Sequence, residues 1–128
     1  MVVPMLEHGR AYSENLCGEY ERRRDAVFNG LAKIDGVSPH RSEGSFYTMT
    51  RLPIDSCEEY ALFLLKNFAL DGETVCLAPG EGFYVTERLG VDEVRVAFMY
   101  DSETLGRAMK ILDASVAAYS ERIAASTT

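Results

Sequence analysis

Val94, Val96 and Phe98 alternate with Arg95, Ala97 and Met99 along the chain. A period of two marks a strand with one buried face. A chain containing such a strand must build a sheet, cover one face of it, and place Arg95 on the other. The valine and phenylalanine face is core. The opposite face sets a guanidinium among small or flexible neighbours, which leaves two readings open. Arg95 has the planar fork suited to a bidentate grip on a carboxylate or phosphate. Alternatively, it is a strand arginine that reaches solvent or pairs with a nearby acid.

The segments around this strand predict the rest of the fold. Leu16, Tyr20, Val27 or Phe28, Leu31 and Ile34 recur at helical spacing, giving a helix over about residues 5–35 with Gly36 at its C′ position. The first half of that helix is weak. Met5, Tyr12 and Leu16 make a sparse stripe, and Gly9 and Gly18 each cost helix stability, so this half needs packing from outside the chain. Gly44-Ser45-Phe46-Tyr47-Thr48-Met49-Thr50 reads as a strand. A second helix opens at Asp55-Ser56 with Ser56 and Glu59 in capping-box spacing. Its expected buried stripe is Cys57, Tyr60, Ala61, Leu64, Leu65 and Phe68. Thr74-Val75-Cys76-Leu77-Ala78 reads as a short strand closed by Pro79-Gly80-Glu81-Gly82. Asp101-Ser102 caps a last helix over about residues 103–123, with Leu105, Met109, Leu112, Val116, Tyr119 and Ile123 as its stripe. Residues 124–128 read as a frayed tail. The expected architecture is α+β: one domain over residues 1–128, with a three- to four-stranded sheet and the long first helix, middle helix and long last helix packed mainly on one face.

Composition excludes several partners. The chain has 128 residues and a net charge of −7. An acidic surface is a poor match for nucleic acid or an anionic membrane, and no apolar run approaches the length of a spanning helix. The opening Met1-Val2-Val3-Pro4 has no basic segment followed by an apolar one, so no secretory leader is expected. Cys17, Cys57 and Cys76 are widely spaced and form no CxxC pair. They read as reduced thiols of a cytoplasmic protein, packed as small hydrophobes, and no metal site is expected.

Few other residues invite chemistry. His8 and His40 belong to no nucleophile or metal motif and read as surface residues. Arg22-Arg23-Arg24 reads as a solvated face with Glu19–Arg23 and Glu21–Arg24 ion pairs. Gly80-Glu81-Gly82 lacks the ending of a phosphate loop. Glu58-Glu59 and Asp92-Glu93 read as helix first-turn charges or strand-edge protection. The three lysines, Lys33, Lys66 and Lys110, lie in helices, away from the enclosed setting that a Schiff base needs. Phe83 and Tyr84, in the loop after the second predicted strand, read either as cover for a pocket or partner or as ordinary packing on the core.

Four ordered stretches carry a family resemblance. Glu19-Tyr20-Glu21-Arg22-Arg23-Arg24-Asp25 resembles an "EYxxRRD" helix, and Glu43-Gly44-Ser45-Phe46-Tyr47 an "xxGAFY" strand entry with Ser for Ala. Residues Thr74-Val75-Cys76-Leu77-Ala78-Pro79-Gly80-Glu81-Gly82-Phe83-Tyr84 resemble the strand and loop after the second helix. Asp92-Glu93-Val94-Arg95-Val96-Ala97-Phe98 resembles an "xxxRIxF" strand. Together they resemble the C-terminal small domain of class I/II aminotransferases, pyridoxal-phosphate enzymes of fold type I. The resemblance implies that Arg95 grips the substrate α-carboxylate, that Gly44, Ser45 and Phe46 lie at the active-site mouth, and that residues 1–15 belong to a helix bridging two domains. It further implies a parent that is a cytoplasmic homodimer acting on an amino acid such as aspartate and a 2-oxo acid. The cofactor lysine, phosphate loop and pyridine-pairing aspartate would lie in a large domain that this sequence lacks. The chain is then expected to be a fragment, silent on its own and unable to hold pyridoxal phosphate. Two other readings of the residues stay open: a freestanding module that binds an amino acid or carboxylate through Arg95, and a structural domain with Arg95 in an internal ion pair.

Overall fold

A computed structural model describes residues 2–126, with side chains described from residue 9 onward. The order is α1 (Val2–Leu31), β1 (Tyr47–Arg51), α2 (Cys57–Asn67), β2 (Ala78–Pro79), a 3₁₀ turn (Glu81–Phe83), β3 (Glu93–Ala97) and α3 (Ser102–Ser126). The three strands form an antiparallel sheet in the order β1-β3-β2, so the alternating strand is the central one. The expected α+β class and element order hold.

Alternation does what the pleat demands. Val94, Val96 and Phe98 are buried and join Val27 and Leu31 of α1, Tyr60 and Leu64 of α2, and Leu105, Met109, Leu112 and Val116 of α3 in a single core. All three helices therefore cover one face of the sheet. Burying side chains of this size contributes roughly 1.5–3 kcal/mol each. Tyr60 places its hydroxyl against Ser115 Oγ within this core, and Ser115 in turn donates to the Leu112 carbonyl at 2.8 Å. Burial pushes the Tyr60 hydroxyl up to about 12. Tyr119 is pushed up to about 12 by burial and by its donation to Asp55.

The caps follow the sequence. Ser56 Oγ accepts from the Glu59 amide at 3.3 Å, and Asp101 accepts from the Thr104 amide at 2.9 Å and its hydroxyl at 2.8 Å. Those bonds hold the Asp101 carboxyl below its ordinary range.

Several boundaries and stripes depart from expectation. The α1 helix ends at Leu31, and 3₁₀-type bonds from Lys33 and Ile34 carry the chain to Gly36, whose φ is 81°. Gly9 interrupts α1 with φ 57° and ψ −146°, so its first part is a separate helix across a kink. Residues 9–17 are exposed, whereas Val27 and Leu31 are buried. Within the described residues, the weak half from residue 9 to residue 17 is thus open to solvent. Met5 and His8 lie outside the described side chains. On α2, Phe63 is buried and Leu65 is 57% exposed, the reverse of the expected stripe, because the core wraps α2 on the Phe63 side through Tyr119 and Phe68. The last helix runs on to Ser126, past the point where a tail was expected; Thr127 and Thr128 lie outside the described residues. Cys57 is buried, but Cys17 and Cys76 are exposed, which corrects the expectation that all three are core.

The strands are shorter than the patterns suggested. Ser45 sits at φ 69°, which breaks the extended chain before β1 begins at Tyr47. Residues 74–77 pair with no strand; β2 is only Ala78 and Pro79. Proline is tolerated there because β2 is an edge strand. The next residue must be glycine on steric grounds, since a Cβ at Gly80 would lie 2.6 Å from the Glu93 carbonyl that its own amide bonds at 2.7 Å. Among the described residues, no helix is long and apolar enough to cross a membrane.

Candidate functional site

Central-strand geometry places Arg95 between two partners, Met49 on β1 and Ala78 on β2. The side chain projects onto the face the helices leave open and is half-buried there. Its guanidinium carbon lies 4.7 Å from the centre of the Phe83 ring and 5.4 Å from that of Tyr47. Cation–π contacts of this kind are worth about 0.5–1 kcal/mol at exposed sites. Among the described residues, Arg95 forms no ion pair and no side-chain hydrogen bond. The ion-paired reading of Arg95 therefore finds no partner within the domain.

Several other charged groups are already committed. Arg22 and Arg23 both bind Glu19, at 2.6 and 2.8 Å. The expected Glu21–Arg24 pair does not form. Arg24 turns to Asp25 at 3.0 Å, and Arg41 grips the same carboxylate through both oxygens, at 2.8 and 2.9 Å. Hydrogen bonds from Arg41 first and Arg24 second hold the Asp25 carboxyl below its ordinary range. Arg23 and Arg24 also donate to the carbonyls of Met99 and Ser42, so this run ties α1 to two loops instead of forming a plain solvated face. In a cleft of about 490 Å³ between α2 and α3, Asp55 and Arg122 bond neutral partners, with Tyr119 donating to Asp55 and Arg122 donating to Asn67.

Asp92 and Glu93 correct another expectation. They belong to the central strand and its entry, not to an edge, and both bind Arg51 of β1, at 3.0 and 3.3 Å. Tyr84 donates to the second oxygen of Glu93, and that bond raises the Tyr84 hydroxyl above its ordinary range. Phe83 and Tyr84 are therefore cover on the open side of the sheet: Phe83 is 52% exposed and stands beside Arg95.

Two clefts flank the site. One, of about 600 Å³, opens where residues 74–77 diverge from β3, and is lined by Cys76, Leu77, Ala78, Arg95, Ala97 and Tyr100 among others. The other, of about 430 Å³, lies against α1 and contains Gly44, Ser45 and Phe46 with Leu16, Tyr20 and Glu43. Arg95 and the Gly44-Ser45-Phe46 turn thus line different clefts. Tyr47 joins them, since its ring meets Phe46 edge-on at 5.6 Å and Arg95 at 5.4 Å. Sequence reasoning missed Tyr47, Arg51 and Glu93 as members of this neighbourhood, whereas for Tyr84, with Phe83, pocket cover is one of its two readings. The alternation that puts 93, 95 and 97 on one face was an available signal for Glu93; the cross-strand register of Arg51 was not.

No lysine here provides a home for pyridoxal phosphate. Lys33, Lys66 and Lys110 are all exposed, and a cofactor imine requires a desolvated amine. Among the described residues, no three His, Cys, Asp or Glu side chains gather to hold a metal ion.

No protein-family model matches the chain. Aspartate aminotransferase of Sulfurisphaera tokodaii is 30% identical over 94 residues, covering 71% of this chain and 23% of the relative. N-succinyldiaminopimelate aminotransferase of Mycobacterium tuberculosis superposes with a TM-score of 0.74 at 25% identity, over 89% of this chain and 29% of that one. Kynurenine aminotransferase of Pyrococcus horikoshii, solved with PMP, gives a TM-score of 0.67 at 24% identity, over 80% of this chain and 24% of that one. The motif resemblance to the C-terminal small domain of fold type I, pyridoxal-phosphate-dependent aminotransferases therefore holds in sequence and in three dimensions across most of the chain. The chain spans about a quarter of the length of these proteins.

Proposed function

We propose that this chain is the small domain of an aminotransferase that moves an amino group between an amino acid and a 2-oxo acid, and that Arg95 binds the substrate α-carboxylate. The observation that carries this reading is the unpaired guanidinium of Arg95 on the uncovered face of the central strand. A half-buried cation with aromatic groups beside it and no acid partner is suited to a planar anion. The exposed residues 9–17 of α1 support a bridging role toward a large domain, and the Gly44-Ser45-Phe46 turn shares a cleft with Leu16, Cys17 and Tyr20, where that stretch ends. The parent is read as a cytoplasmic homodimer. Pyridoxal phosphate, when bound by the parent, supplies the electron sink; the three lysines of this chain are exposed and unsuited to hold it as an imine. This domain contributes binding and orientation of the carboxylate.

The test is Arg95→Lys in the polypeptide that carries this domain with its large domain. Lysine keeps the charge and loses the fork, so kcat/KM for amino acid and 2-oxo acid should fall by roughly tenfold to a hundredfold, the effect of one charge-assisted hydrogen bond. Unchanged kcat/KM would remove Arg95 from the site. Calorimetry on the 128-residue chain is the companion measurement, with negligible amino-acid binding expected. Tight binding abolished by Arg95→Ala would identify a freestanding module instead.

A further inference from the structure

Arg95 has an acid within its own strand. Glu93 lies two residues before it on the same face, a separation that two long side chains can span. Among the described residues the pair does not form; Glu93 is turned instead to Arg51 and Tyr84, one on each oxygen. Arg51 Nη2 reaches Oε1 at 3.3 Å, and the Tyr84 hydroxyl donates to Oε2. The placement of both partners is built into the fold. Arg51 stands opposite Glu93 in the β1–β3 register, and Arg51 Nε is fixed from the other side by Asp92 at 3.0 Å. Tyr84 sits at the end of the 3₁₀ turn, with its ring against the backbone of Gly90, where φ is 77° and a Cβ would lie 2.4 Å from the ring. Gly90 thus admits the ring that brings the hydroxyl to Glu93.

We propose that Arg51 and Tyr84 are positioning residues that hold the Glu93 carboxylate away from Arg95, so that the Arg95 fork stays free for a carboxylate ligand. The proposal deepens the reading of Arg95 as a substrate-binding residue. Without this arrangement, the nearest acid would compete with substrate as an intramolecular ligand at high effective concentration.

The test uses the 128-residue chain and needs no ligand. Side-chain NMR of Arg95 reports the position of its Nε–H resonance and the rate of rotation about the Cζ–Nε bond. In the starting chain, Glu93→Gln should leave both unchanged. In the Arg51→Ala/Tyr84→Phe chain, Glu93 becomes free to turn to Arg95; the Nε–H resonance should shift and rotation should slow by about tenfold, the effect of one charge-assisted pair opposing it. Adding Glu93→Gln to that double variant should restore the original signals, a rescue that general loosening of the loop would not show. Arg51 is an exposed side chain; should the double variant not fold, Tyr84→Phe alone carries the same comparison. Three results would overturn the proposal: an unaltered Arg95 in the double variant, an alteration that persists after Glu93→Gln, or an effect of Glu93→Gln in the starting chain. Because no substrate is involved, failure here leaves the carboxylate role of Arg95 standing. Failure of Arg95→Lys in the parent would equally leave the Glu93 arrangement standing.

Discussion

One strand presents two chemically opposite surfaces. On its covered side, Val94, Val96 and Phe98 meet residues from all three helices and are almost wholly removed from water. On its open side, Arg95 lies in register with Met49 and Ala78, its guanidinium stands beside Tyr47 and Phe83, and Tyr47, Phe83 and Met99 remain substantially exposed. On the covered side the apolar groups have partners and the Tyr60 hydroxyl has Ser115, while among the described residues the buried Thr50 Oγ1 has no hydrogen-bond partner. On the open side Glu93 is bound by Arg51 and Tyr84, whereas Arg95 has no ion pair among the described residues. The difference teaches where stability and function separate. Removing atoms from the covered side should cost folding energy, whereas removing the Arg95 head group should cost recognition.

The strongest way to break that separation is Phe98→Ala. The ring is 1% exposed, and its loss should destabilise the chain by about 3–5 kcal/mol in urea unfolding. A cost below about 1 kcal/mol would show that the helices do not seal this face. Alkaline titration gives the next effect. Tyr60 is held neutral in the fold, with its hydroxyl pushed up to about 12 from an ordinary 10.0. A pKa raised in the folded state contributes stability that is complete below pH 10 and is lost as pH rises toward 12, by an amount on the order of 2–3 kcal/mol. Tyr60→Phe should flatten this part of the stability profile; an unchanged slope would assign the loss to other groups. The smallest effect is expected from Arg95→Leu, which removes cation–π contacts but no ion pair. Its unfolding free energy should stay within about 1 kcal/mol of the original. A loss of several kcal/mol would make Arg95 a structural residue and dissolve the contrast between the faces.

Much of the architecture was legible along the chain because it rests on short-range rules. The Ser56 and Asp101 caps, the α3 stripe and the alternation in β3 each depend on residues a few positions apart, and each appears where its pattern lies. The errors fall where distant segments decide. Leu65 and Phe63 both fit a helical stripe, and only the approach of Tyr119 and Phe68 selects Phe63. The Thr74-Val75-Cys76-Leu77-Ala78 run has strand composition, yet only Ala78 pairs, because the ladder needs a neighbour at the right distance as well as a propensity. Of the candidate site, Arg95 was readable as a cation on the non-core face. Its aromatic neighbours were not, since Tyr47 and Phe83 arrive from separate parts of the chain.

By itself, the sequence determined that a sheet with one buried face exists, that helices cover that face, and that Arg95 points the other way. Periodicity fixes side-chain direction locally, so no knowledge of the neighbours is needed. Only the tertiary structure decided that Arg95 remains unpaired. That outcome depends on register: Arg51 falls opposite Glu93, Tyr84 folds back onto the same carboxylate, and the strand's own acid is thereby taken. Register and loop return are set by packing between residues far apart in the chain, and so the sequence placed the arginine on the open face while the fold left it without a partner.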